Sequence, residues 1–252
     1  MRKPLIAGNW KLHKTVAESL DLVQGLKKEL SDVNDADIVV APVFTSLVKV
    51  CETLAGSNIS VAAQNCYPEK TGAFTGEVSP YLLKDVGCGY VIVGHSERRQ
   101  IFGETDALIN RKIKSLLSEG LRPIFCVGET LAERESGQMF EVLTEQVREG
   151  LAGISATDMQ SAVVAYEPVW AIGTGKTASK EQAEEAHAFI RGLLQGIFDE
   201  ETAAGTRILY GGSVKPDNVD ELMAQEDIDG TLVGGASLTL ADFVRIARFK
   251  RS

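Results

Sequence analysis

Residues 162 to 212 contain one copy of the pattern that decides the fold. An apolar run, AVVAYE (162–167), is followed by EEAHAFIRGLLQGIF (184–198), where apolar residues recur at helical spacing, and then by RILYGG (207–212). Near-continuous apolarity over a short run suits a strand that is buried on both faces, as in a parallel sheet. The stretch therefore predicts a strand, a helix and a second strand parallel to the first.

The same pattern recurs from one end of the chain to the other. Amphipathic segments such as SLDLVQGLKKEL (19–30) separate the runs. The other six strand-like runs are LIAGN (5–9), DIVVAP (37–42), ISVAAQN (59–65), YVIVG (90–94), RPIFCVG (122–128) and GTLVGG (230–235). Eight strand–helix units in 252 residues predict an α/β fold of the (β/α)8 barrel type, with eight parallel strands surrounded by helices. A doubly wound sheet is the alternative, although it seldom needs eight such regular units. No linker interrupts the pattern, so we predict a single catalytic domain over residues 1–252.

Composition excludes several classes of partner and cofactor. The net charge of -9 argues against nucleic acid or an anionic membrane surface as a partner. No apolar run is long enough for a signal peptide or a membrane span. The four cysteines form no CxxC pair and lack the spacing of zinc ligands. We therefore expect a cytoplasmic protein with reduced thiols, no metal and no cofactor.

Chemically capable residues follow the predicted strands at the ends where barrels of this kind carry their active sites. They are Asn9 and Lys11 after the first run, His95, Ser96 and Glu97 after the fourth, Glu167 at the end of the sixth, Ser213 after the seventh, and Gly234 and Gly235 in the last. Their side chains and backbone amides are therefore expected to meet around one barrel mouth.

Glu167 is the strongest candidate for a catalytic base. It ends a buried run and precedes Pro168, which favours extended geometry at Glu167. Burial raises the pKa of a carboxyl group towards the range that is useful for a base. The structural alternative is an ion pair between Glu167 and a buried arginine.

His95 and Lys11 are candidates for stabilising negative charge. His95 precedes SERRQIF, which reads as a helix start with Ser96 as its cap, and the positive end of a helix favours a neutral imidazole. Lys11 suits a phosphate or a developing oxyanion. Glu97 either orients Lys11 or pairs with a neighbouring arginine. The alternatives are a packed, hydrogen-bonded His95 and a solvated Lys11.

Paired glycines after the last two strands favour a phosphate site. Glycine lets backbone N–H groups converge on an anion, and the loops after strands 7 and 8 commonly bind phosphate in such barrels. Gly173 lies in the neighbouring loop, within GTGKT (173–177). That loop is not a nucleotide-binding P-loop, because Trp170 stands where the first glycine is required. The whole set suits abstraction of a proton next to a carbonyl on a phosphorylated substrate.

Six stretches in the same order make the chain similar to the triosephosphate isomerase family. They are GNWKLH (8–13), GHSERRQIFGETD (94–106), CVGETLAERESGQ (126–138), AYEPVWAIGTGKTAS (165–179), YGGSVKPDN (210–218) and DGTLVGGASL (229–238). The resemblance implies cofactor-free interconversion of D-glyceraldehyde 3-phosphate and dihydroxyacetone phosphate through an enediol(ate), a step of glycolysis and gluconeogenesis. It implies that Glu167 moves the proton and that neutral His95 polarises the carbonyl.

The resemblance also implies the remaining roles. Asn9 and Lys11 would bind and stabilise the substrate, and Gly173, Ser213, Gly234 and Gly235 would hold its phosphate. The segment PVWAIGTGKT (168–177) would be a lid that excludes water.

The resemblance further implies a homodimer. The long segment CYPEKTGAFTGEVS (66–79) would bring Thr75 near the partner's active site. His13 and Lys14 depart from the family pattern and put interface detail in doubt rather than catalysis. A different sugar-phosphate isomerase or epimerase and a catalytically inactive phosphometabolite-binding barrel are the alternative functions.

Overall fold

The computed structural model describes residues 2–172 and 177–250. Its strands lie close to the eight predicted runs. They are β1 (Leu5–Asn9), β2 (Asp37–Ala41), β3 (Ile59–Ala63), β4 (Tyr90–Val93), β5 (Arg122–Val127), β6 (Val163–Tyr166), β7 (Arg207–Tyr210) and β8 (Gly230–Val233). Seven of them end one or two residues before the last residue of the predicted run, because the final residues of those runs already belong to the loops that follow.

The strands form a closed barrel in the order β1 to β8. Every pairing is parallel, and β1 also pairs with β8, with Leu5 opposite Gly230. The prediction of a (β/α)8 barrel is confirmed. Closure removes the exposed edges that an open doubly wound sheet would keep.

Helices surround the barrel between successive strands. Among the described residues they are α1 (Val16–Glu29), α2 (Leu47–Leu54), α3 (Pro80–Asp85), α4 (Ser96–Phe102), α5 (Asp106–Ser118), α6 (Leu131–Glu135), α7 (Met139–Gly150), α8 (Ala156–Met159), α9 (Lys180–Ile197), α10 (Glu200–Gly205), α11 (Val219–Met223) and α12 (Leu240–Ala247). Capping boxes begin α1 and α9: Thr15 and Ser179 accept backbone hydrogen bonds from Glu18 and Gln182.

Two apolar cores follow from the alternation of side chains along each strand. Residues such as Leu5, Ala7, Val163 and Ala165 fill the barrel interior. Their neighbours, such as Ile6, pack outward in the larger core beneath the helices. This period of two fixes which residues point inward at the end of each strand.

The segment 66–79 contains no helix or strand, as predicted. It folds back on itself through a hydrogen bond from Tyr67 N–H to the Val78 carbonyl, and the rings of Tyr67 and Phe74 lie 4.6 Å apart. Cys66, at its base, is fully buried rather than exposed as a loop residue would be expected to be. Within the described residues, no helix is long and apolar enough to cross a membrane.

Candidate active site

Strand alternation places Asn9 and Glu167 at one mouth of the barrel. Asn9 continues the inward set of Leu5 and Ala7, and Glu167 continues that of Val163 and Ala165. Glu167 follows β6 directly rather than ending it, and its N–H donates to the Val127 carbonyl at 2.8 Å. The structure therefore places Asn9 and Glu167 at the carboxyl ends of their strands, as the sequence predicted.

The Glu167 carboxylate is almost completely buried and is held by two neighbouring residues. Its Oε2 accepts the backbone N–H of Ser96 at 2.9 Å, and its Oε1 lies 3.3 Å from the Ser96 hydroxyl and 2.9 Å from His95 Nε2. The alternative of a structural ion pair with an arginine is wrong, since these partners come from the loop after β4.

Glycines that directly follow the neighbouring strands β5 and β7 make room for Glu167. A Cβ at Gly211 would lie 2.9 Å from the Glu167 Cγ, and one at Gly128 would lie 1.8 Å from the Glu167 carbonyl oxygen. A side chain at either position would displace the carboxylate or its backbone. Neither glycine has a positive φ, so backbone conformation does not require glycine at these positions. Glycine is required there because the Glu167 atoms approach so closely that no side chain would fit.

The net pKa shift of Glu167 is opposite to the predicted one. Burial raises the pKa of this carboxyl group. The charge and hydrogen bond of His95 and the amide of Ser96 together lower it by a larger amount, so the pKa lies below its ordinary value. The prediction from burial alone was wrong because it omitted hydrogen bonds that come from another strand.

His95, not Ser96, is the N-cap of α4. Its Nδ1 accepts the backbone N–H of Glu97 at 3.2 Å, and Ser96 is the first helical residue. An Nδ1 atom that accepts a hydrogen bond carries no proton, so Nε2 is the protonated nitrogen and donates to Glu167. The helix start thus favours the neutral imidazole, as predicted, and it does so through the hydrogen bond from the Glu97 N–H to Nδ1.

The Glu167 carboxylate opposes that influence on His95. Burial lowers the pKa of His95, yet the charge of Glu167 and its hydrogen bond to Nε2 raise it more, so the pKa lies above its usual value. In this arrangement the helix start favours a neutral ring and Glu167 favours a charged one. The charge state of His95 therefore depends on where the Glu167 carboxylate lies.

Lys11 projects its ammonium group beside this pair. Its Nζ lies 2.6 Å from Glu97 Oε1, and the Asn9 side chain accepts the Lys11 N–H at 3.1 Å. Lys11 has a φ of 50°, a left-handed conformation that is uncommon outside glycine and is held here by Asn9 and by Gln64, which donates to the Lys11 carbonyl at 2.9 Å. Of the two predicted roles for Glu97, pairing with Lys11 is the one observed.

A cavity of about 300 Å³ brings the predicted residues together. Its lining includes Asn9, Lys11, His95, Ser213, Gly234 and Gly235. Glu167 does not line this cavity: it is hydrogen-bonded to His95, which does, and together with Ser96 it lines a separate cavity of about 210 Å³. Gly173, the remaining predicted phosphate ligand, lies outside the described residues.

The cavity of about 300 Å³ is also lined by residues that offer backbone N–H donors. Gly235 begins a short 3-10 turn over Gly235–Leu238, with Gly234 as its cap. Across the described parts of the chain, the N–H groups of Ser213, Gly234 and Gly235 meet no protein acceptor. Unpaired N–H groups that face one cavity are the donors that an anion such as phosphate requires.

Metal binding finds no support in the geometry. In residues 2–172 and 177–250, no group of three or more His, Cys, Asp or Glu side chains is arranged to hold a metal ion. The charged groups of the site are paired with each other instead, as in Lys11–Glu97 and His95–Glu167. What the arrangement offers is an imidazole, an ammonium group and backbone amides around one cavity, with the Glu167 carboxylate bonded to that imidazole.

Comparison with known proteins decides the family. The family model for triosephosphate isomerase matches residues 4–250. The chain belongs to the triosephosphate isomerase family. It is 66% identical over 250 residues to a triosephosphate isomerase of Syntrophotalea carbinolica, covering 99% of both chains. It is 57% identical to that of Herpetosiphon aurantiacus over 99% of this chain and 100% of the relative, and 59% identical to that of Trichlorobacter lovleyi over the same shares. It is an enzyme of the aldose–ketose isomerase class.

Glu129 is a functional candidate within the triosephosphate isomerase site that sequence reasoning missed. Its buried Oε1 accepts hydrogen bonds from the Tyr166 hydroxyl at 3.0 Å, the Trp170 indole N–H at 2.9 Å and Arg134 at 3.1 Å. Trp170 lies in the predicted lid, so Glu129 fixes the described start of that segment. The available signal was its place in GET (128–130), directly after β5.

Proposed function

We propose that this chain interconverts D-glyceraldehyde 3-phosphate and dihydroxyacetone phosphate, with Glu167 as the base that moves the proton. The observation that carries the proposal is the buried contact between Glu167 and His95 beside a cavity that also holds Lys11 and unpaired backbone amides. Family membership gives the same reaction. Glu167 removes a proton from the carbon next to the carbonyl and returns it to the neighbouring carbon, so no cofactor is consumed.

Substrate entry changes the basicity of Glu167. In the substrate-free arrangement, His95 and the Ser96 amide hold its pKa down. When the carboxylate turns from these partners towards the substrate, burial remains and the lowering influences weaken, so its pKa rises. The base therefore gains proton affinity at the stage where it must accept a proton. Ser96 is a positioning residue that holds the carboxylate until then.

The same movement restores a neutral His95. Once the Glu167 carboxylate leaves Nε2, burial, the Glu97 amide and the charge of Lys11 favour the uncharged ring, against the opposing charge of the Glu97 carboxylate. The Nε2–H of that ring then donates to the substrate carbonyl. Lys11 supplies a positive charge for the developing enediolate, Asn9 holds the Lys11 backbone, and Glu97 holds its ammonium group. General base catalysis typically supplies about 10²–10⁴-fold, so this electrostatic stabilisation must supply much of the remainder.

The phosphate group binds at the amides of Ser213, Gly234 and Gly235; Gly173, the other phosphate ligand that the resemblance implies, lies outside the described residues. Support comes from the unpaired N–H groups on that side of the cavity and from Lys11, whose Cε lies 3.7 Å from the position of a Cβ at Gly234. These local donors offset a net charge of -9 that would otherwise repel an anion.

We also propose a homodimer through residues 66–79. Phe74, at the tip of that loop, is 40% exposed, beside Thr75, and its exposure suits insertion into a second copy of the chain. An open groove of about 700 Å³ beside the active site is lined by Lys11, His13 and Phe102, among others. A loop seated there would place Thr75 near the Lys11 of the other copy. The free cysteines suit the cytoplasm as its compartment.

The test of the reaction uses the purified, metal-stripped chain. It is mixed with glyceraldehyde 3-phosphate, and dihydroxyacetone phosphate is followed in a coupled assay. Rapid conversion without any added cofactor is expected. A folded, dimeric chain that fails to convert the substrate would contradict the proposal and favour a phosphate-binding relative.

A further inference from the structure

Two of the four cysteines lie against each other outside the active site. Cys51 is in the last turns of α2, and Cys88 lies two residues before β4. The Cys51 side chain covers Gly87: its Cβ and Sγ lie 3.4 Å and 3.7 Å from the position of a Cβ there. The Cys88 thiol is on the next residue, close enough to Cys51 for the two thiols to influence each other's pKa. The fold thus brings together two cysteines that are 37 positions apart in the chain (88 minus 51), and neither takes part in the proposed isomerisation.

The two thiols differ in exposure and in acidity. Cys51 is partly exposed, whereas Cys88 is buried, with 5% exposure. The neighbouring Cys88 thiol lowers the pKa of Cys51 despite the opposing effect of burial, and the Cys51 thiol together with burial raises the pKa of Cys88. Since the thiolate is the reactive form, Cys51 is the nucleophile that solvent can reach and Cys88 is the thiol behind it.

We propose that Cys51 and Cys88 form a reversible redox site that small-molecule disulfides such as oxidised glutathione convert to an intramolecular disulfide. The Cys51 thiolate attacks one sulfur of the oxidant, forming a mixed disulfide and releasing one thiolate. The Cys88 sulfur then attacks the Cys51 sulfur, forming the Cys51–Cys88 bond and releasing the second thiol. One oxidant disulfide is reduced to two thiols while two protein thiols lose two protons and two electrons.

The other two cysteines do not compete for the oxidant. Cys66 and Cys126 are fully buried, and burial raises the pKa of both thiols, that of Cys66 to about 12. A buried, protonated thiol is a poor nucleophile towards an oxidant in solution. Cys88 has to reach only the neighbouring Cys51 sulfur, and the Cys51 thiol that raises the pKa of Cys88 is consumed in the mixed disulfide. The chain therefore directs an oxidant to Cys51.

The position of the pair predicts what oxidation does. Cys88 precedes β4, whereas His95 follows it, so the disulfide forms at the end of the barrel away from the active site. It closes the segment 51–88, which includes the loop 66–79. Closing a long segment restricts the unfolded chain more than the folded one. Oxidation should therefore raise resistance to unfolding and leave turnover unchanged.

The experiment treats the purified full-length chain with oxidised glutathione and analyses it by intact mass and peptide mapping. We expect the parent chain to lose the mass of two hydrogen atoms, with residues 51 and 88 in one cross-linked peptide, and dithiothreitol to reverse the change. C88S should instead retain one glutathione on Cys51, and C51S should remain unmodified. The matched control C66S should form the cross-link like the parent.

Several results would overturn the site. A stable glutathione adduct on the parent chain would show that Cys88 does not resolve it, and an unmodified parent would show that Cys51 does not react. A disulfide through Cys66 or Cys126 would place the chemistry elsewhere. For the oxidised parent, an unchanged urea midpoint or a change of kcat/KM beyond about twofold would contradict the predicted consequence.

Discussion

His95 Nε2 lies 2.9 Å from Glu167 Oε1 in the substrate-free chain, and both side chains are buried. This contact lowers the pKa of the carboxyl group and raises that of the imidazole. In the proposed mechanism, the substrate carbonyl oxygen takes the place of the carboxylate at Nε2, which would reverse both shifts together. The predictions for Glu167 below test this proposal.

Replacing Glu167 by glutamine should remove the base while keeping its shape. We expect E167Q to lower kcat by about 10²–10⁴-fold or more, because an amide cannot accept the substrate proton. Binding of a phosphate-bearing inhibitor should be retained, since the phosphate site is formed by other residues. Steady-state kinetics and inhibitor titration measure the two effects.

The matched control for that change is E145Q. Glu145 lies on the exposed side of α7 and lines none of the three cavities described above. We expect its kinetics to equal those of the parent. Substantial turnover by E167Q would show that another group takes the proton.

Glycines 211 and 235 should affect different kinetic constants when each is replaced by alanine. A Cβ at Gly211 would lie 2.9 Å from the Glu167 Cγ. One at Gly235 would meet no atom of the described residues within 4 Å, apart from its chain neighbours, and would stand in the proposed phosphate side of the cavity. We expect G211A mainly to lower kcat and G235A mainly to raise KM. Circular dichroism of both variants checks that the fold is retained, and the reverse pattern of constants would contradict the assignment.

The fold was predictable because it is set by local periodicity. Eight short apolar runs with helical segments between them leave few arrangements, and the same alternation that buries Val163 and Ala165 aims Glu167 inward. The site positions at strand ends followed from the same rule.

The contacts between strands were not predictable in this way. The pKa of Glu167 depends on Ser96 and His95, which are 71 and 72 positions away in the chain (167 minus 96 and 167 minus 95). Ser96 was predicted as a cap from residue type, but the ring of His95 takes that place because its Nδ1 reaches the Glu97 amide. Glu129 was missed because three partners from separate segments give it its role.

A charge at the tip of the long loop should prevent dimerisation. Thr75 is exposed beside Phe74 in the single chain. We expect T75R to shift the chain from dimer to monomer in sedimentation at micromolar concentration and to lower activity, because the inserted guanidinium cannot be buried without a partner. The control T157R carries the same change on exposed α8 and should remain dimeric. If the parent sediments only as a 27.2 kDa species, the dimer proposal is wrong.

His187 should make stability fall at acidic pH. Burial lowers its pKa to about 3, against the raising effect of the Asp227 carbonyl near Nδ1. Its Nε2 is buried and meets no partner among the described residues, so a proton there would leave a charge buried without compensation. Between the unfolded pKa of about 6.5 and the folded value of about 3, the unfolded chain binds one more proton than the folded chain.

The sign of the pH effect follows from that proton. The contribution of neutral His187 is fully present above about pH 6.5 and declines as pH falls towards 3, by about 1.4 kcal/mol per pH unit. In H187Q this part of the slope should be absent. Urea unfolding of the parent and H187Q at several pH values from 4 to 8 measures the difference. The difference should be constant above pH 7 and shrink below pH 6. Parallel curves over the whole range would mean that folded His187 takes up the proton, contrary to its burial on α9 near the rings of Tyr166 and Tyr210.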